Sequence, residues 1–226
     1  TMLAAAFLTA HAAHAAVIAT IHLSAAPQNV TIPLLVLAIA HSFYFALWTR
    51  GDDWVAAVRS FRGHSADPSV AMAWTAQLIK LAQVAAVVGF LAQSGALSDS
   101  GAAWSWGDSL SLTHLARSLV SQGPVRFVVF TGMLAVGQTL NGAILKAIGI
   151  RGVYYGCKFG HTVPWSTQFP FNVPTIRHPQ YVGAILTLLG GGGLLWSDRT
   201  SAAGIELIVG VWSAFYVGTG VVEDFW

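Results

Sequence analysis

The residues best equipped for chemistry stand in one polar stretch between apolar runs, Gly149 to Gly183, and in an acidic pair further on, Glu223 and Asp224. The stretch reads GIRGVYYGCKFGHTVPWSTQFPFNVPTIRHPQYVG. It carries Pro164, Pro170 and Pro174 ahead of Pro179, the cations Arg151, Lys158 and Arg177 with Lys146 just upstream, and the histidines His161 and His178. A bilayer would not accept it, and loops between rigid spans are where binding and catalytic groups collect. A guanidinium such as Arg177 grips a carboxylate or phosphate through parallel hydrogen bonds. Imidazole, present at His178, is the side chain most used for general acid–base work.

The composition says what must position these groups. Of 226 residues, 55% are hydrophobic and 9% charged, with a mean hydropathy of +0.63. Soluble domains carry about 25% charged residues, so the apolar surface here calls for lipid as solvent. The expected fold is all-α: a polytopic transmembrane helix bundle of about five or six spans, with a C-terminal helical hairpin. We expect one integral membrane domain over 1–226, with N-terminal spans and interfacial helices in 1–124 and the motif-bearing region in 125–226. A net charge of +2 does not suggest a nucleic-acid partner. A single cysteine, Cys157, excludes an intramolecular disulfide framework. The first residue is Thr, which leaves room for a targeting segment out of view.

Apolar runs are expected to span at Met2–Leu23, Ile32–Thr49, Val70–Gln93, Val125–Gly149, Gln180–Trp196 and Gly204–Val222, against the roughly 20 residues a bilayer requires. His11, His14 and His22 sit in the first run. His11 and His14 share a helix face, but two histidines without a carboxylate or cysteine are too few for a metal, and no metal site is expected. Trp54–Phe61 reads as a surface helix capped by Asp52 and Asp53, and Leu110–Val120 as an interfacial one. Lys80 falls at mid-span between Gln77 and Gln83. A cation there costs at least about 2.5–3.5 kcal/mol, so it must face a partner, a cavity or a lipid phosphate. The fourth span holds Gly132, Gly137, Gln138, Thr139, Asn141 and Gly142. Small residues allow close helices and amides bond across them, and the cluster Gly137-Gln138-Thr139-Leu140-Asn141 is expected to wall a cavity rather than serve packing alone. The run Gly190–Gly193 is expected to weaken or bend its helix. Alternation of sides puts loops 50–69 and 150–178 and the C-terminus on one face. The excess of cations there marks it as cytoplasm-like. The last two spans form a hairpin that should return Glu223 and Asp224 to Arg177 and His178.

The segment Arg177-His178-Pro179-Gln180-Tyr181-Val182-Gly183, a helical hairpin and an acidic ending resemble the membrane methyltransferase superfamily. That superfamily includes isoprenylcysteine carboxyl methyltransferases and phospholipid N-methyltransferases. Gly149-Ile150-Arg151-Gly152-Val153-Tyr154-Tyr155-Gly156 and Phe169-Pro170-Phe171-Asn172 are similar to the GxxGxYxG and FPFN pieces of the phosphatidylethanolamine and phospholipid enzymes. The resemblance covers roughly Gly132 to the C-terminus. It implies S-adenosylmethionine as cofactor, bound at Gly137, Arg177, Glu223 and Asp224. It also implies membrane phospholipids as substrates. By its chemistry His178 is a candidate base for the headgroup amine, the alternative being that it and Arg177 only cap and anchor the next helix. Tyr181 and Asn172 either fix the headgroup or close the loop. Three positions depart from the family pattern: Ala135 stands for a glycine, Val153 for an acid and Asp224 for a glutamate.

Two functions follow. The first is S-adenosylmethionine-dependent methyl transfer to a phosphatidylethanolamine-type headgroup, in an endoplasmic reticulum or mitochondrial membrane. A prenylcysteine carboxyl acceptor is a variant within that class. The second is a silent methyltransferase fold serving as a structural subunit among membrane-protein partners, for example in an organellar respiratory complex. The departures at Ala135, Val153 and Asp224, nine tryptophans and the ending at Trp226 speak for it.

Overall fold

A computed structural model describes residues 30–97, 119, 123–163 and 165–225. Among them the elements are helical, without strands: α1 (Thr31–Thr49), α2 (Gly51–Arg62), α3 (Pro68–Gln93), α4 (Pro124–Val153), α5 (Pro179–Leu195), α6 (Asp198–Ala202) and α7 (Ile205–Phe225), with a 3-10 turn at Gly156–Phe159. The protein is a polytopic helical membrane bundle. Helices α1, α3, α4 and α7 are long and apolar enough to cross a bilayer, and α5 is a shorter apolar helix of 17 residues. The run Met2–Leu23 with His11, His14 and His22, and all but Leu119 of Leu110–Val120, lie outside the described residues.

Large apolar side chains cover the outside: Ile32, Leu35 and Ile39 on α1, Trp74, Leu78 and Leu81 on α3, Val125, Val128 and Val136 on α4. In water such a surface would drive association; in lipid it faces its solvent. Inside, one apolar cluster joins α1, α3 and α7 through Val30, Leu37, Phe90, Leu91, Ile205 and Ile208. Another lies at the opposite end, where Leu47, Met72 and Ala76 pack with Phe159.

The most extensive helix contact is between α4 and α5. Between transmembrane helices the driving force is close packing and hydrogen bonding, because lipid tails are as apolar as leucine. Glycines supply the closeness. A Cβ added at Gly137 would lie 2.6 Å from the Gly183 carbonyl and 2.6 Å from Thr187 Oγ1. One at Gly190 would lie 2.6 Å from the Leu134 nitrogen. Gln138 Nε2 donates to Thr187 Oγ1 at 2.9 Å across the same seam.

The glycine run therefore acts differently from expectation. Helix α5 continues unbroken through Gly190–Gly193, and the missing side chains admit α4 and α7: Gly193 sits against the Phe130 ring and Gly192 against Val209. Other boundaries move by a few residues. The fourth span kinks at Gly149 (φ 67°, ψ −177°) and resumes to Val153. Helix α2 starts at Gly51, so Asp52 and Asp53 occupy its first turn rather than precede it, and no side chain caps it. Between α5 and α7 the chain forms the one-turn helix α6, opened by a capping box of Ser197 and Thr200.

The α4–α5 seam leads to a direct test. Gly137→Val should lower stability by about 1–3 kcal/mol through overpacking. Gly210→Ala, where a Cβ meets nothing within 4 Å, should be neutral or stabilising by up to about 1 kcal/mol. Thermal unfolding of the purified variants in detergent reads both.

Candidate active site

Helix α5 opens on Pro179. Proline suits a first helical position because its missing N–H would be unpaired there anyway. It leaves Arg177 and His178 just ahead of the helix and Tyr181 in its first turn. The far end of α7 arrives at the same place. His178 Nε2 lies 3.0 Å from Asp224 Oδ1, and Arg177 Nη1 lies 3.5 Å from Asp224 Oδ2. The Tyr181 hydroxyl donates to Glu223 Oε1. Gly220, one turn back on α7, makes room for both rings: an added Cβ would meet Tyr181 at 3.2 Å and His178 at 3.6 Å. The acidic carboxylates and the Arg-His-Pro-x-Tyr segment thus form one cluster. Tyr181 is buried, Asp224 is partly open, and Arg177 is largely exposed.

Below this cluster a cavity of about 650 Å³ opens between α1, α3, α4, α5 and α7, lined by His41, Tyr44, Lys80, Gln138, Tyr181 and Tyr216 among others. That is the size range of ligand pockets. A smaller chamber of about 170 Å³ reaches from His41 and Trp48 to Glu223. Tyr155 lines both. Its backbone is left-handed (φ 56°), a conformation unusual for a bulky residue and frequent where function demands it. The ring is held 5.9 Å from Trp48 and 6.5 Å from Tyr44, centre to centre. Gly156 then turns the chain so tightly that a Cβ there would strike the Arg151 carbonyl.

A second cluster holds the loops together outside the membrane span. Asp67 caps α3 by accepting from the Ser69 N–H at 2.9 Å. Arg151 donates to its other oxygen from Nε at 2.9 Å and lies within 2.8 Å through Nη2. His161 Nε2 stands 3.3 Å from Oδ1. Burial alone would raise the Asp67 carboxyl, but the hydrogen bonds from Arg151 and the Ser69 backbone, with the charges of Arg151 and His161, outweigh it and hold the carboxyl below its ordinary value. Nearby, the Lys158 ammonium sits 4.0 Å over the Trp48 ring. Loops 50–69 and 150–178 and the end of α7 therefore meet on one face.

The other expected site residues lie elsewhere. Gly137 is buried in the α4–α5 seam, its approach taken up by Gly183 and Thr187. Asn172 is exposed in the turn at 168–173, its N–H on the Gln168 carbonyl at 3.2 Å, and among the described residues its side chain makes no hydrogen bond to the cluster. Sequence reasoning missed Asp67, although an aspartate directly before a helix-opening proline is a capping signal. It also missed His41 and Tyr44, which carry no signal beyond position in an apolar span.

The profile of the phospholipid methyltransferase family matches residues 125–226. A phosphatidyl-N-methylethanolamine N-methyltransferase from Arabidopsis thaliana is 35% identical over 147 residues, 65% of this chain and 68% of the relative. The chain belongs to the phospholipid methyltransferase family. No solved structure matches it. Within this phospholipid methyltransferase family member, the matched region takes in the whole Arg177–Asp224 cluster, whereas α1 and α3, the other wall of the cavity, precede it.

The Asp67 clamp titrates with a defined sign. Its folded value lies below the roughly 3.9 of a free aspartate, so its stabilisation is complete above that value and is lost as the pH falls through the folded one. Asp67→Asn should flatten the loss of thermal stability between pH 5 and pH 2 relative to wild type. Melting curves across that range check it.

Proposed function

We propose that the protein methylates the headgroup amine of a phosphatidylethanolamine-type phospholipid, using S-adenosylmethionine as donor. The observation that carries this reading is the junction of Arg177, His178 and Tyr181 with Glu223 and Asp224, above a membrane cavity of ligand size. The relative's named acceptor already bears one methyl group, and a phosphatidyl-N-methylethanolamine is the acceptor we favour.

The donor set fits the cofactor. Its amino-acid ammonium and ribose hydroxyls suit the Glu223 and Asp224 carboxylates, and its carboxylate suits Arg177, whose guanidinium is open to a ligand. S-adenosylmethionine supplies a methyl group on a sulfonium centre, ready for in-line displacement. The protein's share is position and proton handling. A lipid ammonium must lose a proton before its nitrogen can form the new N–C bond. Asp224 can only accept when ionised, so His178 presents an N–H from Nε2 to it and leaves Nδ1 to take that proton. The Tyr181 hydroxyl, bonded to Glu223, fixes the carboxylate's direction. The rings of Tyr44, Tyr155, Tyr181 and Tyr216 line the cavity. Aromatic faces attract methylated ammonium groups, which favours an acceptor that is already partly methylated. Gly137, by its packing, supports the site through the α4–α5 seam. Asn172, exposed in the turn at 168–173, is our candidate for a contact made only with headgroup bound.

Calorimetry on the protein in lipid nanodiscs tests the donor site. Wild type should bind S-adenosylmethionine at micromolar concentration, and Glu223→Gln should weaken it about tenfold or more, as loss of a charged hydrogen bond predicts. No binding at millimolar donor would overturn the reading. His178→Asn should lower kcat about 10²- to 10⁴-fold in a steady-state assay while leaving donor affinity within a few fold.

A further inference from the structure

Lys80, a basic residue, lies mid-way along α3 and lines the large cavity, whose walls carry no carboxylate among the described residues. No acid pairs with it among the described residues. Several polar side chains line the same space. Gln77 lies one turn earlier and donates to the Tyr154 hydroxyl at 3.3 Å. Gln83 is buried, 4% exposed, lines the cavity, and has no hydrogen bond to a protein group among the described residues. Gln138 and Asn141 face the same space from α4. A cation and an unbonded amide held inside a membrane span are costly unless something anionic and hydrogen-bonding completes them.

The surroundings say where that group comes from. Val84 on α3 and Leu145 on α4 line the cavity and are also 57% and 46% exposed. The same stretch of α3 shows Leu78 and Leu81 outward at 67% and 65%. The mouth between α3 and α4 is thus rimmed by apolar, lipid-facing side chains, and an anion entering there must be carried by a lipid. The depth agrees. Gln77 ties α3 to Tyr154, and Lys80 lies about one turn, roughly 5 Å, deeper. Tyr154, Tyr155, Gln180 and Tyr181 lie toward the catalytic cluster. Amine toward the cluster, phosphate one turn deeper and acyl chains out through the mouth is the order of a phospholipid in the leaflet on that face.

We propose that Lys80, with Gln83 and Gln77, forms the phosphodiester subsite of the acceptor, admitting the lipid sideways between α3 and α4. The proposal rests on the acceptor reading above for its place in the reaction, but its binding test does not. The probe is short-chain phosphatidyl-N-methylethanolamine, compared with a diacylglycerol of the same chains that lacks the phosphate. Both are titrated into detergent-purified protein, with Trp fluorescence as readout because Trp212 lines the cavity. Lys80→Met makes the span more apolar and should fold. It should weaken the phospholipid about tenfold or more, Lys80→Arg should weaken it by no more than a few fold, and the diacylglycerol should bind all three alike. S-adenosylmethionine affinity should be unchanged in both variants. Loss of donor binding in Lys80→Met with phospholipid binding kept would overturn the proposal and assign Lys80 to the donor's carboxylate. No change in either would overturn it as well. Lys80-dependent lipid binding in a protein that transfers no methyl group would uphold the subsite and sink the activity.

Discussion

The structure depends on how closely α5 lies against α4. Gly137, Gly183, Gly190 and Gly193 let the two backbones and the Phe130 ring come together, and Gln138 bonds Thr187 across the contact. Lipid offers no hydrophobic reward for joining helices, so shape and hydrogen bonds must do it. Helix α5 is also short. With one end fixed on α4, its opening residues have little freedom, and Arg177, His178 and Tyr181 are set where α7 ends. A side chain anywhere along this seam would move the site without touching it.

The site is built from three remote pieces of chain, and each is locked by its own device. The Arg-His-Pro-x-Tyr segment is locked by Pro179 at the start of α5. The acidic pair is locked by the helical register of α7, with Gly220 clearing space for the rings. The 3-10 turn is locked by left-handed Tyr155, by Gly156 and by Lys158 lying on Trp48. The Asp67 clamp then ties the α2–α3 loop to that turn region. A cavity with polar side chains set among apolar walls is the consequence, and it lies between the Arg177–Asp224 cluster and the lipid-facing sides of α3 and α4.

Much of this was legible in the sequence because membrane spans announce themselves. Ile32–Thr49, Val70–Gln93 and Gln180–Trp196 fall within two residues of α1, α3 and α5, since the cost of burying a charge or a bare backbone group in lipid leaves little choice of boundary. The meeting of Glu223 and Asp224 with Arg177 and His178 was legible too, from the hairpin and the count of crossings. The glycine run was not. Glycine weakens an isolated helix, yet at a helix contact the same absence of a side chain is what allows the packing, and only the neighbour decides which applies. His41 and Tyr44 were hidden for a similar reason: a polar ring in an apolar span gains meaning only when the bundle folds around it. Lys80 stood out at once as anomalous, and the fold turns that anomaly into a place.

The central claim is that the junction of α5 and α7 transfers a methyl group to a lipid amine. Its most direct measurement uses S-adenosylmethionine labelled in the methyl group, with purified protein in nanodiscs that contain phosphatidyl-N-methylethanolamine. The account predicts label in the extracted lipid as a further-methylated headgroup, growing with time and absent in Glu223→Gln. Label that stays with the donor in a folded protein, with acceptor and donor both in excess, would contradict it.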